Sequence, residues 1–364
     1  MKQNQASELR ARTPEGRILS LDALRGVAAV VVVLHHFRLC FLLSEPRWFL
    51  RPLFAGAAAV TVFFVLSGYV LALPVWRGRQ PGYGRYLTRR ICRIYLPYLA
   101  AAVLAILVGS HLLFSHTGLT SWFDRTWQKP MTLGFDIRQM IEVPGDGALN
   151  TAFWSLRYEF EMSLIFPLIC MLLARLRWRA SFVTVILCFA GVRVLEHFLQ
   201  RPIWKYGVLP TCWYGLCFVL GAIMSRNRDG IGALYRRTSS WIKWAVLTPF
   251  LLLLFVAQNT LMPWSAAALL LVAEFSSARR WLETRIPEYL GRVSYSMYLV
   301  HGTVLWTVMI LLEHRVPLPA LVLIYLAAVW ICSDVFCRLV EEPTIRLGKR
   351  LTVRGGLTSD VGRM

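Results

Sequence analysis

A stretch of about twenty mostly apolar residues recurs along this chain, and twenty is the length that crosses roughly 30 Å of hydrocarbon. Such windows fall near residues 24–43, 57–75, 94–114, 152–174, 181–199, 207–225, 244–260, 262–278, 293–313 and 317–337. No soluble domain needs that pattern, nor a composition of 57% hydrophobic and 16% charged residues with 14 Trp in 364 and a mean hydropathy of +0.53. The expected fold is an all-α integral membrane protein of about ten transmembrane helices. Window 262–278 is short, and window 181–199 carries Arg193 and Glu196 near its end, so each has the option of lying tilted or interfacial.

A net charge of +20 raises nucleic acid as a partner, but the basic residues alternate by loop instead of collecting in one tail. With the N-terminus inside, about 28 of the 40 Lys and Arg fall in inner segments, as the positive-inside rule requires. Both termini are then cytoplasmic, and nucleic-acid binding is set aside. Residues 1–18 contain no apolar core of their own, so no cleaved signal peptide is evident and the first helix directs insertion into the inner (plasma) membrane. The expected organisation is a cytoplasmic segment 1–18, one membrane domain 19–347 and a cytoplasmic tail 348–364. The eight cysteines are scattered in or beside apolar segments with no CxxC spacing, which points to small core residues and to no metal site.

Ionisable residues inside apolar helices are costly and are usually kept for a reason. The first helix holds two. Arg25 and His36 are eleven residues apart, close to three full turns, so they share a face about 16 Å apart along the axis. His35 lies only about 100° around the same helix and is the geometric alternative to His36. A neutral imidazole can take the proton of an attacking hydroxyl; the plainer reading is a buried arginine paired to a carboxylate and a core histidine. On the fourth window Glu159 and Glu161 follow Arg157. Two residues apart, the carboxylates diverge by about 200°, so only one can reach a shared centre. For Glu159 the choice lies between an ion pair, with Arg157 or Arg25, and orienting a histidine or an acceptor hydroxyl.

The segment Arg85 to Arg93 is cationic at the inner surface, and Arg90 and Arg93, three apart, share a helix face suited to phosphate oxygens or to anionic headgroups. This lays out a path from a charged donor at Arg90 and Arg93, past Arg25, to a reactive carbonyl at His36. The outer loop near 115–150 holds Trp122, Phe123, Trp127, Asp124, Asp136 and Asp146, a set suited to a sugar or to anchoring at the interface. Ser67-Gly68 lacks the Gly-x-Ser-x-Gly elbow and reads as a close helix contact. His301 is read as a core hydrogen-bonder, with a second acid or base as the alternative. Glu341-Glu342-Pro343 is expected to end the last helix and pair with loop arginines.

Several blocks together resemble the integral-membrane acyltransferase-3 family. Leu21 through Ala29 and on to His36 is similar to its opening Arg-x10-His signature, Phe63-Phe64-Val65-Leu66-Ser67-Gly68-Tyr69 to its second-helix block, and Arg90-Ile91-Cys92-Arg93 to its RxxR block. Trp154-Ser155-Leu156-Arg157-Tyr158-Glu159 resembles its WSLxxE block, and Leu290 to His301 and Val340 to Pro343 resemble its late signatures, all in family order over roughly residues 18–347. The resemblance implies a ten-helix fold that moves an acyl group, usually acetyl, from cytoplasmic acyl-CoA to a carbohydrate hydroxyl, with acyl-CoA as co-substrate and no tightly bound cofactor. It implies His36 as the proton carrier and Arg25, Arg90 and Arg93 in donor binding and positioning. Taken with the residue reading, the candidates are His36, Arg25 and Glu159 as catalytic, Arg90 and Arg93 as donor-binding, and Trp154, Ser155, His35, Tyr69 and His301 as acceptor or supporting groups. Thr61 departs from the family pattern, standing where many members carry an acidic or amide residue. The competing classes are a transporter or flippase of an anionic glycan lipid, using Arg25, His36 and Glu159 as a gated charge network, and a scaffold without chemistry.

Overall fold

The computed structural model describes residues 18–41, 47–79, 81–112, 120–124, 149–200, 207–256 and 260–354. Among the described residues each of the ten apolar windows overlaps a helix, and no strand occurs. The helices are α1 (Leu19–Cys40), α2 (Gly56–Trp76), α3 (Tyr83–Arg90, then Leu96–Leu112), α4 (Trp154–Arg175), α5 (Trp178–Leu199), α6 (Val208–Arg226), α7 (Arg228–Arg237), α8 (Ser240–Leu252), α9 (Met262–Phe275), α10 (Arg285–Leu312) and α11 (Leu318–Phe336, then Glu342–Arg354). Seven helical stretches have the length and apolarity to cross a membrane: α1, α2, α3, α5, α6, α10 and α11. Helix α4 is also of spanning length, at 22 residues, but carries Arg157, Glu159 and Glu161 in its first half. At 13 and 14 residues, α8 and α9 are shorter than a perpendicular crossing. The protein is an all-α, multi-pass membrane protein. Helix α5, with Val183, Leu187, Val194, Leu195 and Phe198 exposed, presents the apolar flank that lipid would cover.

Two helix pairs form the centre, each brought close by paired small residues. Helices α2 and α6 run parallel, with Phe64 beside Tyr214 before the crossing and Trp76 Nε1 donating to the Ala222 carbonyl beyond it: a Cβ at Gly68 would collide with the Phe218 carbonyl, and one at Gly221 with the Val65 carbonyl. Ser67-Gly68 is therefore packing, as its sequence suggests. Helices α1 and α10 run parallel. A Cβ at Gly291 would lie 2.5 Å from the Asp22 carbonyl oxygen, and one at Gly26 would press into the Leu290–Gly291 backbone. Ten residues on from each glycine stand His36 and His301, so the small-residue contact sets the register of the two histidines.

Two π-turns interrupt long helices, at Ile91–Tyr95 within α3 and at Cys337–Glu341 within α11. Each widens one turn, a distortion frequent at functional positions. The sequence reading ends the last helix at Glu341-Glu342-Pro343; in the structure the chain stays helical to Arg354. The wide turn lets Pro343 fall in the first turn of a new helical segment, where its missing N–H is not needed. This segment packs along the start of α3, with Gly348 against Cys92 and Arg89 Nε donating to Thr352 Oγ1 at 2.9 Å.

Candidate active site

The polar groups of the bundle collect in two layers along α1. The first surrounds Arg25, whose guanidinium lies 3.3 Å from Asp22. Arg90, buried where α3 meets its π-turn, donates to Ser163 Oγ through Nε at 3.2 Å and Nη2 at 2.9 Å and stands 3.6 Å from Glu159. Ser163 in turn donates to the Glu159 carbonyl at 2.7 Å, which ties Arg90 to α4 twice. Arg25, Arg90, Arg93 and Glu159 lie within electrostatic reach of one another. Arg93 is exposed and has no ion-pair partner among the described residues. Glu341, on the second π-turn, accepts from Ser296 Oγ at 2.5 Å and faces the charges of Arg93 and Arg25. Four of the residues expected at the site thus meet here, but Glu159 touches Arg90, whereas the sequence reading offered Arg157, Arg25 or a histidine. Arg157 pairs instead with Glu161 at 2.8 Å, and Glu161 also accepts from Thr211, consistent with the divergence of the two carboxylates.

The second layer lies eleven residues along α1, about 16 Å away. His36 Nδ1 is 2.8 Å from Nε2 of the fully buried His301, with ring planes only 7° apart. His301 Nδ1 lies 3.0 Å from the Met297 carbonyl and 2.9 Å from that of Tyr298. Trp122 stacks on the other side of His36, 5.5 Å between centroids. It is held there by a strap: Thr120 Oγ1 donates to Leu39 O at 3.2 Å, Phe123 N donates to Thr120 Oγ1 at 3.1 Å, and Trp306 Nε1 donates to Phe123 O at 3.2 Å. His36 sits in the last turns of α1, so this layer lies near the C-terminal end of that helix.

The remaining candidates separate. Ser155 Oγ and Tyr298 Oη are 2.6 Å apart, which brings the start of α4 beside His301. Trp154 joins an aromatic cluster with Tyr158 and Tyr214. His35 points away, its Nδ1–H donating to the Phe54 carbonyl at 2.8 Å and tethering the Trp48–Phe54 turn. Tyr69 is in neither layer: its hydroxyl donates to Glu274 at 2.5 Å, and Glu274 is paired with Arg228. Thr61 bonds back to its own helix at the Ala57 carbonyl, 2.9 Å, and offers no charge. Trp127, Asp136 and Asp146 lie outside the described residues. Sequence reasoning assigned no role to Asn150, which is fully buried, accepts from Ala152 N at 2.9 Å and donates to Leu299 O at 3.0 Å, fastening the start of α4 to α10. An asparagine opening an apolar segment is the one signal that could have found it.

The acyltransferase-3 family model, described as an acyltransferase domain, matches residues 18–337. The chain belongs to this family. Acyltransferase MdmB of Streptomyces mycarofaciens is 27% identical to it over 93% of this chain and 94% of that protein. O-acetyltransferase PaAT-1 of Phomopsis amygdali is 23% identical, covering 79% of this chain and 72% of that protein. Protein 2 in picA locus of Rhizobium radiobacter is 33% identical over 42% of this chain. No solved structure matches the chain. As an acyltransferase-3 member with apolar spanning helices, the protein is a membrane O-acyltransferase.

Proposed function

We propose that this acyltransferase moves an acetyl group from acetyl-CoA in the cytoplasm to a hydroxyl of a carbohydrate acceptor, such as an O-antigen or exopolysaccharide sugar, with His36 as general base. The observation that carries this reading is the division of α1 into an arginine layer and a histidine layer about 16 Å apart. Coenzyme A separates its phosphates from its thioester by a long flexible arm and so suits two layers at that spacing. Exposed Arg93, with Arg25 and Arg90 behind it, supplies the guanidinium forks for phosphate. The acceptor hydroxyl attacks the thioester carbonyl as His36 takes its proton; the new C–O bond forms, the C–S bond breaks, and the proton passes from His36 to the departing thiolate. Acetyl as the group and oxygen as the acceptor are supported by the name of the relative PaAT-1. The positive-inside charge pattern supports both termini, and hence the arginine layer, on the cytoplasmic side of the plasma membrane.

The test is coenzyme A release from acetyl-CoA by purified protein with extracted cell-surface glycans as acceptor. Wild type is expected to release thiol and transfer acetyl to glycan, His36→Ala to lose about 10²-fold or more, and His35→Ala to stay near wild type. Equal release by all three would remove His36 from the chemistry. Release that depends on His36 yet leaves the glycan unlabelled would move the acceptor to another hydroxyl-bearing class.

A further inference from the structure

Resting on His36 as the base, we propose that His301 is the positioning residue that fixes the tautomer of His36, so that Nε2 is the nitrogen that takes the acceptor's proton. Carbonyl oxygens only accept. Because His301 Nδ1 faces the carbonyls of Met297 and Tyr298 at 3.0 and 2.9 Å, that nitrogen carries the hydrogen. A neutral imidazole has one N–H, so His301 Nε2 holds a lone pair, and at 2.8 Å it accepts from His36 Nδ1–H. His36 then holds its own lone pair on Nε2. Two backbone carbonyls thus determine, through one buried ring, which nitrogen of the other is basic.

The neighbourhood holds the arrangement in place. Trp122 lies on His36 with 18° between ring planes, and the strap from Thr120 to Phe123 ties that tryptophan to α1 and α10 together. A flip of the His36 ring would put Cδ2 where Nδ1 faces His301 and break the pair. Among the described residues the ionisable groups that act on His36 are His301 and His35, and neither is a carboxylate. A neutral partner orients the ring as a carboxylate partner does in a serine-protease triad, but brings no countercharge for an imidazolium. The proton on Nε2 is therefore held briefly and passes to the thiolate sulfur as the C–S bond breaks. It follows that the acceptor oxygen and the departing sulfur both approach the Nε2 edge of His36.

The experiment uses the full-length protein, labelled with ¹⁵N-histidine and reconstituted in nanodiscs. Long-range ¹H–¹⁵N spectra identify the tautomer, with the His36 signals assigned by their loss in His36→Ala; turnover is followed with acetyl-CoA and glycan extract. Wild type is expected to show His36 as the Nδ1–H tautomer. In His301→Leu, which removes the acceptor, the Nε2–H form should appear and kcat should fall about 100-fold, with the acetyl-CoA KM within about twofold. His301→Gln, whose amide oxygen can accept from His36 Nδ1–H, should recover at least about tenfold of that loss. A wild-type spectrum showing His36 as the Nε2–H tautomer overturns the proposal even if every His301 variant fails to fold. So does unchanged kcat in a folded His301→Leu. Should His36→Ala itself turn over normally, the base assignment fails; an inactive His36→Ala beside a fully active His301→Leu overturns only the role of His301.

Discussion

Glu159 and Glu274 are both carboxylates on helices inside an apolar bundle, and both are answered by an arginine, yet the two sites are finished to different degrees. Glu274 is closed. Its side chain is 2% exposed, Arg228 bonds one oxygen and the Tyr69 hydroxyl the other at 2.5 Å, so each group in the trio has its partner. Glu159 is left open. Its side chain is 25% exposed, Arg90 stands 3.6 Å away and spends its hydrogen bonds on Ser163, and the neighbouring Arg93 has no ion-pair partner among the described residues. Burial penalises an ion, so a pair is retained for structure when its partners satisfy one another. Charge in excess of such pairing is what a ligand can complete. By that measure Glu274 has the character of scaffold, and the arginine layer around Glu159 keeps the unmet charge that the proposed donor site would use.

The contrast breaks most visibly if the closed site is emptied. Glu274→Leu leaves the Tyr69 hydroxyl and the Arg228 guanidinium without their buried acceptor, a loss expected to cost about 3–5 kcal/mol of stability. The measurement is the melting temperature in detergent, which should drop sharply, while the surviving folded fraction keeps the wild-type acetyl-CoA KM. A raised KM at unchanged stability would place Glu274 among the donor contacts and erase the distinction. Tyr69→Phe is the gentler probe of the same site. It deletes one hydrogen bond to a charged group and should cost about 1.5–3 kcal/mol, again without altering kcat or KM. Because Tyr69 is among the acceptor or supporting candidates of the sequence, a changed acceptor KM in this variant would support that role.

The helices are legible because the bilayer imposes both length and apolarity on them, and each of the ten apolar windows overlaps a helix among the described residues. The arginine layer was half legible: Arg25, Arg90, Arg93 and Glu159 were each singled out by charge in an apolar setting, but no spacing told that Glu159 would answer Arg90, since the two sit on different helices. The histidine pair shows the limit more sharply. His36 stood out by its distance from Arg25, and His301 was read as a core hydrogen-bonder, yet 265 residues separate them and only the crossing at Gly26 and Gly291 brings them together. Trp122 was visible as a loop aromatic, and its seat on His36 depends on bonds from Thr120 and Trp306 that no periodicity encodes. The partner of Tyr69 is not legible in the sequence, because Glu274 lies on a short helix as its single carboxylate and 205 residues away. Pro343 reads as a stop because sequence patterns carry no sign of a π-turn wide enough to let a helix restart.

The smallest expected effect is also the one that sharpens the comparison most. Arg93 is exposed and forms no ion pair among the described residues, acting on Glu341 only at longer range, so Arg93→Ala breaks no ion pair and should change the melting temperature little. If its guanidinium binds a donor phosphate, the acetyl-CoA KM should rise about tenfold, equivalent to about 1.4 kcal/mol, with kcat little altered because the interaction is made equally in ground and transition states. Arg93→Lys keeps the charge but loses the planar fork, so its KM should fall between the two. Raising ionic strength should weaken donor binding in wild type more than in Arg93→Ala, since only wild type carries the exposed charge to be screened. The reverse result, a destabilised Arg93→Ala with normal KM, would make Arg93 a structural group like Arg228 and leave the arginine layer without its open position.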